Sequence, residues 1–220
     1  MFEEYYTAVE STLHCQRNWD LSKTIPTEHM QLFEYIVKTA PSKQSLAFYR
    51  VHFITNRTIQ ENIYNSTQTQ KHLDYYGIVS AWPDFYNPQV LANLLVVFEE
   101  YFDADINNVD RRPKYLAQNL LTDVQKRRLL ETFDKDRRDA IGIAAGQLSL
   151  AAALLGYKTG FCKCFDFQEV KSIVNAQNSI RMLLGIGFPN EGIPHTQHHL
   201  HPEYPKRAQP KTNIPVNYVY

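Results

Sequence analysis

The chain has 220 residues, 44% hydrophobic and 21% charged, a balance ordinary for one large domain that buries its own core. Lys plus Arg and Asp plus Glu each number 23, so the formal net charge is zero. That removes any general electrostatic drive toward nucleic acid or an anionic membrane, and any bound anion must be gripped by a local cluster of positive charge. Three cysteines, Cys15, Cys162 and Cys164, do not make a secreted disulfide framework, and the acidic stretch MFEEYYTAVEST lacks the pattern of a signal peptide. The expectation is a cytoplasmic protein with no nucleic-acid or membrane partner, folded as a single domain over 1–220.

Apolar positions at Tyr5, Tyr6, Val9 and Leu13 recur at helical spacing and predict a helix over 2–13. A second start signal follows, with Thr24 or Thr27 as cap, Pro26 in the first turn and a stripe of Leu32, Phe33, Ile36 and Val37. Ala40-Pro41-Ser42 ends that helix, because a residue before proline is pushed out of the helical region. FYRVHFIT, 48–55, is β-branched and aromatic and predicts a strand. Residues 58–82 predict a helix broken by the polar run Asn-Ser-Thr-Gln, and Asn87-Pro88 marks a turn. LANLLVVF, 91–98, is apolar almost throughout, the mark of a strand buried on both faces.

Residues 99–137 are charged and show no clear period. Residues 139–155 are apolar almost all round and predict a central buried helix stopped at Gly156; the stretch is short for a membrane span. Residues 158–165 read as a loop leading into a strand, 168–178 as a helix, and 181–188 (RMLLGIGF) as a buried strand. The tail from Pro189 is rich in Pro and His and ends in the short strand signal VNYVY. Irregular alternation of helices and strands gives an α+β domain with a central helix. Aromatics are numerous, 14 Tyr, 12 Phe and 2 Trp; most suit a large core, and a few are candidates to stack on a planar ligand.

Four of these segments, in this order, resemble the nitroreductase family of flavoproteins. Cys15-Gln16-Arg17-Asn18-Trp19 ahead of Ile25-Pro26 is similar to the family's RRSxRxF followed by IP. Ala40-Pro41-Ser42 leading into FYRVHFIT is similar to its APSxxNxQPW and the strand after it. Asn87-Pro88-Gln89-Val90-Leu91-Ala92 runs into LLVVF, and AGQLSLAAALLGYKTGFCKCFD precedes LLGIGFP and a late Lys206-Arg207. The resemblance implies a nitroreductase-like sandwich, a central mostly antiparallel sheet flanked by helices, in an intertwined homodimer with FMN at the subunit interface. It implies ping-pong hydride transfer from NADH or NADPH through flavin N5 to a small-molecule acceptor such as a nitroaromatic or quinone. The cofactor carries that chemistry, so no catalytic side chain is required.

The resemblance also places individual residues. Arg17 would face the flavin ring and stabilise charge that develops on reduction. Leu13, His14 and Cys15 stand where the family has two arginines and a serine. Lys206 and Arg207 are therefore left with more of the phosphate, which needs cations at short range. His14 reads equally as a ligand contact or a partly buried polar residue. Pro41 and Ser42, with Lys43 and Ser45 (or Gln44 after a one-residue shift), form a loop that crosses to the partner's cofactor. Asn87 aligns with the residue that reads the polar edge of the ring, with Gln89 as a second candidate, although Asn-Pro is also a common turn initiator. Cys162, Lys163 and Cys164 lie over one flavin face, where backbone N–H groups, that of Cys164 in particular, would meet N5 and O4; Phe161 is a candidate stacking residue.

Two rival readings come from the residues themselves. Cys162-X-Cys164 suggests a redox or metal pair, but one Cys-X-Cys without a second pair falls short of the four ligands zinc usually takes. His195, His198, His199 and His201 suggest a metal loop or, more simply, a polar surface loop, since no helix fixes their spacing. In the charged stretch 99–137, the aromatics of 101–115 stand beside Phe161 as candidate stacking residues, and the rest carries no assigned role.

Overall fold

A computed structural model describes residues 2–45, 48–77, 79, 85–101, 122–192 and 215–218. Its centre is a four-stranded antiparallel sheet in the order β1-β2-β4-β3, formed by β1 (Tyr49–Ile54), β2 (Leu94–Glu100), β3 (Lys158–Cys162) and β4 (Ile180–Gly187). All seven residues of β2 are buried. The apolar run predicts this for 94–98, but the strand starts after Asn93 and extends into Glu99 and Glu100, outside the predicted 91–98. The strand's alternation divides the core in two. Leu94, Val96 and Phe98 join Phe33, Val37, Ile141, Ala144 and Leu148 on one face, while Leu95 and Val97 join Ile63, Phe165, Val170 and Leu183 on the other.

Helices α1 (Phe2–Ser11), α2 (Thr27–Thr39) and α5 (Asp123–Leu154) form the layer over the first face. Helices α3 (Arg57–Asn65) and α6 (Phe167–Ile173) pack on the second, and α4 (Thr69–Tyr75) follows α3. Helix α1 stops at Ser11, short of the predicted Leu13. There the hydroxyls of Ser11 and Thr12 donate to the carbonyls of Ala8 and Val9, a local alternative to another helical turn. In α2, Pro26 occupies the cap position itself, neither Thr24 nor Thr27 supplies a side-chain cap, and Leu32 is exposed, so the inward stripe is Phe33 and Val37 with Ile36 packed at its margin. The predicted 58–82 helix is two helices: Ser66 and Thr67 donate to the carbonyls of Ile63 and Tyr64 and close the first. Asn56 caps α3, and Asp166 caps α6 through the backbone N–H groups of Gln168 and Glu169.

The largest correction is α5. It begins sixteen residues before the predicted Asp139, inside the stretch that shows no period, and its 32 residues span about 48 Å. Thr122 and Gln125 form a capping box at its start, and Asp134 and Asp136 in its charged first half make tertiary ion pairs with Arg181 and Lys43. Nor is its apolar half buried all round. Ala140, Ile141, Ala144, Ala145, Leu148 and Ala152 face the core, whereas Gly142, Ile143, Gly146 and Gln147 are exposed in the single chain. Residues 158–162 are themselves a strand instead of a loop, fixed to α5 by a 2.7 Å hydrogen bond between Ser149 Oγ and Thr159 Oγ1. Helix α6 ends at Ile173, shortly before Asn175 turns the chain with a φ of 51°. Residues 216–218, the described part of the predicted terminal strand, are not in a strand.

Candidate functional site

Residues 15–20 run from β3, which Cys15 and Gln16 contact, to the segment 188–190 that follows β4. The Gln16 backbone N–H donates to the Thr159 carbonyl at 2.8 Å, Trp19 bridges Pro189, and the Asp20 N–H donates to the Phe188 carbonyl at 2.9 Å. The Trp19 indole N–H reaches the Pro88 carbonyl at 3.0 Å and fastens this segment to a buried 3₁₀ turn, Pro88–Val90. That turn lies flat on the sheet because two strand residues opposite it have no side chain. A Cβ on Gly185 of β4 would overlap the Gln89 carbonyl oxygen, and one on Gly160 of β3 would overlap the Gln16 carbonyl oxygen. Glycine inside a strand is the sequence signal for such close backbone approach, and in RMLLGIGF it is masked by the apolar run around it.

The turn presents Asn87 and Gln89, and their hydrogen bonds differ in kind. Asn87 Nδ2 donates to the carbonyls of Thr67 (3.2 Å) and Cys164 (3.3 Å), its Oδ1 accepts from Gln89, and its backbone N–H donates to Thr67 Oγ1 at 2.8 Å. Every polar atom of the Asn87 side chain is therefore used within the chain. Thr67, which no motif singles out, is the anchor. Gln89 Nε2 donates to Asn87 Oδ1 (3.3 Å) and to the Phe161 carbonyl (3.4 Å). Its Oε1 is buried and meets no donor among the described residues. An unpaired buried carbonyl oxygen of this kind costs about 1–3 kcal/mol.

Around this pair stand the other two motifs. Cys15 Sγ–H donates to the Phe161 carbonyl at 3.4 Å, and Arg17 is half-buried close enough to act on both Cys15 and Cys162 by its charge. Burial pushes the Cys15 thiol up, and Arg17 offsets only part of that. Burial pushes Cys162 up further still. Neither is therefore a ready thiolate. Across the end of β3 the exposure alternates: Phe161 and Lys163 are exposed, Cys162 is buried and Cys164 half-buried. His14 is half-buried beside Cys15. Among the described residues no group of three His, Cys, Asp or Glu side chains is arranged to hold a metal ion, and no helix is long and apolar enough to cross a membrane.

The second motif lies elsewhere. Pro41, Ser42, Lys43 and Ser45 lead into β1, at the opposite edge of the sheet from β3, three strand spacings or about 14 Å away. Lys43 Nζ is bonded to Asp136 of α5 at 2.9 Å, and Ser45 adopts a left-handed φ of 55°. Ser42, Ser45 and the exposed Pro41 line a cavity of about 750 Å³ with Val37, Tyr49 and Arg50. One chain thus gathers Cys15, Arg17, Asn87, Gln89 and 161–164, and keeps the Pro41–Ser45 loop apart from them. Lys206, Arg207 and the histidines at 195, 198, 199 and 201 lie outside the described residues, as does the side chain of Gln44.

This arrangement of helices on both faces of an antiparallel four-stranded sheet is the nitroreductase fold. A Bacillus subtilis structure named as a nitroreductase, ydfN, matches with a TM-score of 0.64 over 87% of this chain and 91% of that one, at 16% identity. A nitroreductase-named structure from Exiguobacterium sibiricum in complex with FMN matches at 0.58 over 91% and 96%, at 17% identity. A Staphylococcus epidermidis structure named as an NAD(P)H:FMN oxidoreductase matches at 0.59 over 85% and 87%, at 17% identity. No protein-family model and no curated protein sequence matches the chain.

Proposed function

We infer that this chain is an FMN-dependent oxidoreductase that takes hydride from NADH or NADPH and delivers it to a small-molecule acceptor, such as a nitroaromatic or quinone, in ping-pong fashion. The observation that carries the reading is the convergence of Cys15–Arg17, Asn87–Gln89 and Phe161–Cys164 at one edge of a nitroreductase-fold sheet. Neighbours in that fold include structures described as FMN-bound, one of them an iodotyrosine deiodinase, and an enone reductase. Bound FMN would supply the two-electron relay. The residues present fit such a group: Gln89 offers an unpaired acceptor, Arg17 a cation, and the chain at Lys163 and Cys164 leaves the sheet ladder just after Cys162.

In this reading Arg17 stabilises negative charge on the ring. Lys206 and Arg207 hold the phosphate. Pro41, Ser42, Lys43 and Ser45 serve the site of a partner chain, since they cannot reach their own cluster across the sheet. The exposed face of α5, with Gly142, Ile143 and Gly146, supports a homodimer: small residues let a second helix approach closely, and Ile143 is 43% exposed in the single chain. The protein is read as cytoplasmic.

The purified protein is expected to be yellow, or to bind added FMN with fluorescence quenching and a rise in melting temperature. FMN at one hundred times its Kd should stabilise the fold by about 2.7 kcal/mol. Anaerobic NADH or NADPH should then bleach the flavin, and adding a nitroaromatic, a quinone or an enone should restore its colour. A colourless protein whose melting temperature ignores FMN would refute the reading.

A further inference from the structure

Resting on the FMN reading, we propose that Gln89 Oε1, and not the Asn87 amide, is the acceptor that recognises the imide N–H of the flavin ring. Asn87 is already committed: both amide hydrogens go to the carbonyls of Thr67 and Cys164, and its oxygen accepts from Gln89, which leaves it one lone pair at most. Gln89 is the complementary case. Its two amide hydrogens are directed to Asn87 Oδ1 and the Phe161 carbonyl, which fixes the amide the right way round, nitrogen toward two acceptors. The oxygen that remains is an acceptor only, sealed from solvent and without a donor among the described residues.

An oxidised isoalloxazine has one ring N–H donor, N3–H, flanked by two carbonyl acceptors. A single fixed acceptor on a cluster that also holds Arg17 is the minimum set for such an edge. Gln89 is itself rigid, because Gly185 lets its backbone press on β4 and the Asn87 side chain buttresses its amide. Asn87 is then a positioning residue: it ties Thr67, Cys164 and Gln89 into one frame and touches the ring through none of its own side-chain atoms.

The test uses FMN and N3-methyl-FMN as probes, titrated by fluorescence quenching against the intact protein. The wild type should bind FMN at least tenfold more tightly than the N3-methyl analogue. In Gln89→Ala the two should bind within about twofold of each other, since the acceptor is gone and the methyl group has room. Equal binding by the wild type, or an undiminished preference in Gln89→Ala, overturns the assignment while leaving FMN binding intact. If the wild type binds neither, it is the FMN reading that falls. Should Gln89→Ala not fold, ¹⁵N3-labelled FMN bound to the wild type decides: the N3 proton should exchange slowly, and free-solution exchange would refute the contact.

Discussion

Gly185→Ala is expected to destabilise the protein by about 3 kcal/mol and to weaken FMN binding more than any single change to Gln89 itself. Gly185 sits in β4, an inner strand paired on both sides. The added methyl would overlap the Gln89 carbonyl oxygen and stand 3.0 Å from Ala92 Cβ. Neither is the movable end of a flexible side chain. A strand held by two ladders yields less than a 3₁₀ turn, so the turn must lift, carrying the Asn87 amide off Thr67 and Cys164 and the Gln89 amide off Phe161. One methyl group thus disturbs three hydrogen bonds of the cluster. Urea unfolding and FMN titration of the variant measure the two effects. An unchanged midpoint together with unchanged FMN affinity would show that the turn does not bear on Gly185 as described.

The second large effect lies away from the site. Glu99 is fully buried at the end of β2, beside an irregularity in its pairing with β4. Its Oε1 accepts from the backbone N–H groups of Gln177 (2.9 Å) and Asn178 (2.8 Å) and from Asn178 Nδ2 (3.2 Å), while Oε2 lies 2.7 Å from His52 Nε2. Burial alone would raise its pKa; the hydrogen bonds from Asn178, His52 and Gln177 outweigh that and hold it below the ordinary 4.5. Because the folded value is depressed, the carboxylate's contribution is fully present above about pH 4.5 and is lost as pH falls through the folded value. Glu99→Leu should cost about 3–5 kcal/mol at neutral pH, since it strands backbone donors. Glu99→Gln should flatten the fall in stability below pH 4.5. Urea midpoints across pH 3 to 7 test both, and a Glu99→Gln acid limb as steep as the wild type's would assign that limb to other groups.

Much of this architecture is legible in the residues. The unbroken run around Val96 announces a strand covered on both faces, and the spacing of Phe33 and Val37 announces α2. The first half of α5 is not, because Asp134 and Asp136 there are placed for ion pairs with Arg181 and Lys43, partners distant in sequence. Only Thr122 and Gln125 mark its start. At the site, motif order points to Arg17, Asn87 and 162–164, and the fold brings these together. Sequence gives Asn87 and Gln89 the same chemistry. What separates them is the fold: Thr67, a residue without a motif, and Cys164 take Asn87's amide hydrogens, while Gln89 Oε1 meets no donor among the described residues.

The sheet order has a genetic corollary. The Pro41–Ser45 loop and the Arg17–Gln89 cluster occupy opposite edges, so a site built from both takes them from two different chains, as in the proposed homodimer. Two defective alleles, one altered in Ser42 and the other in Gln89, should then complement each other. When co-expressed, the mixed dimer concentrates both lesions in one site and leaves the other wild type at every position. Activity recovered from two inactive parents, approaching a quarter of the wild-type total if chains pair at random, is the expected signature; its absence would place each whole site within one chain.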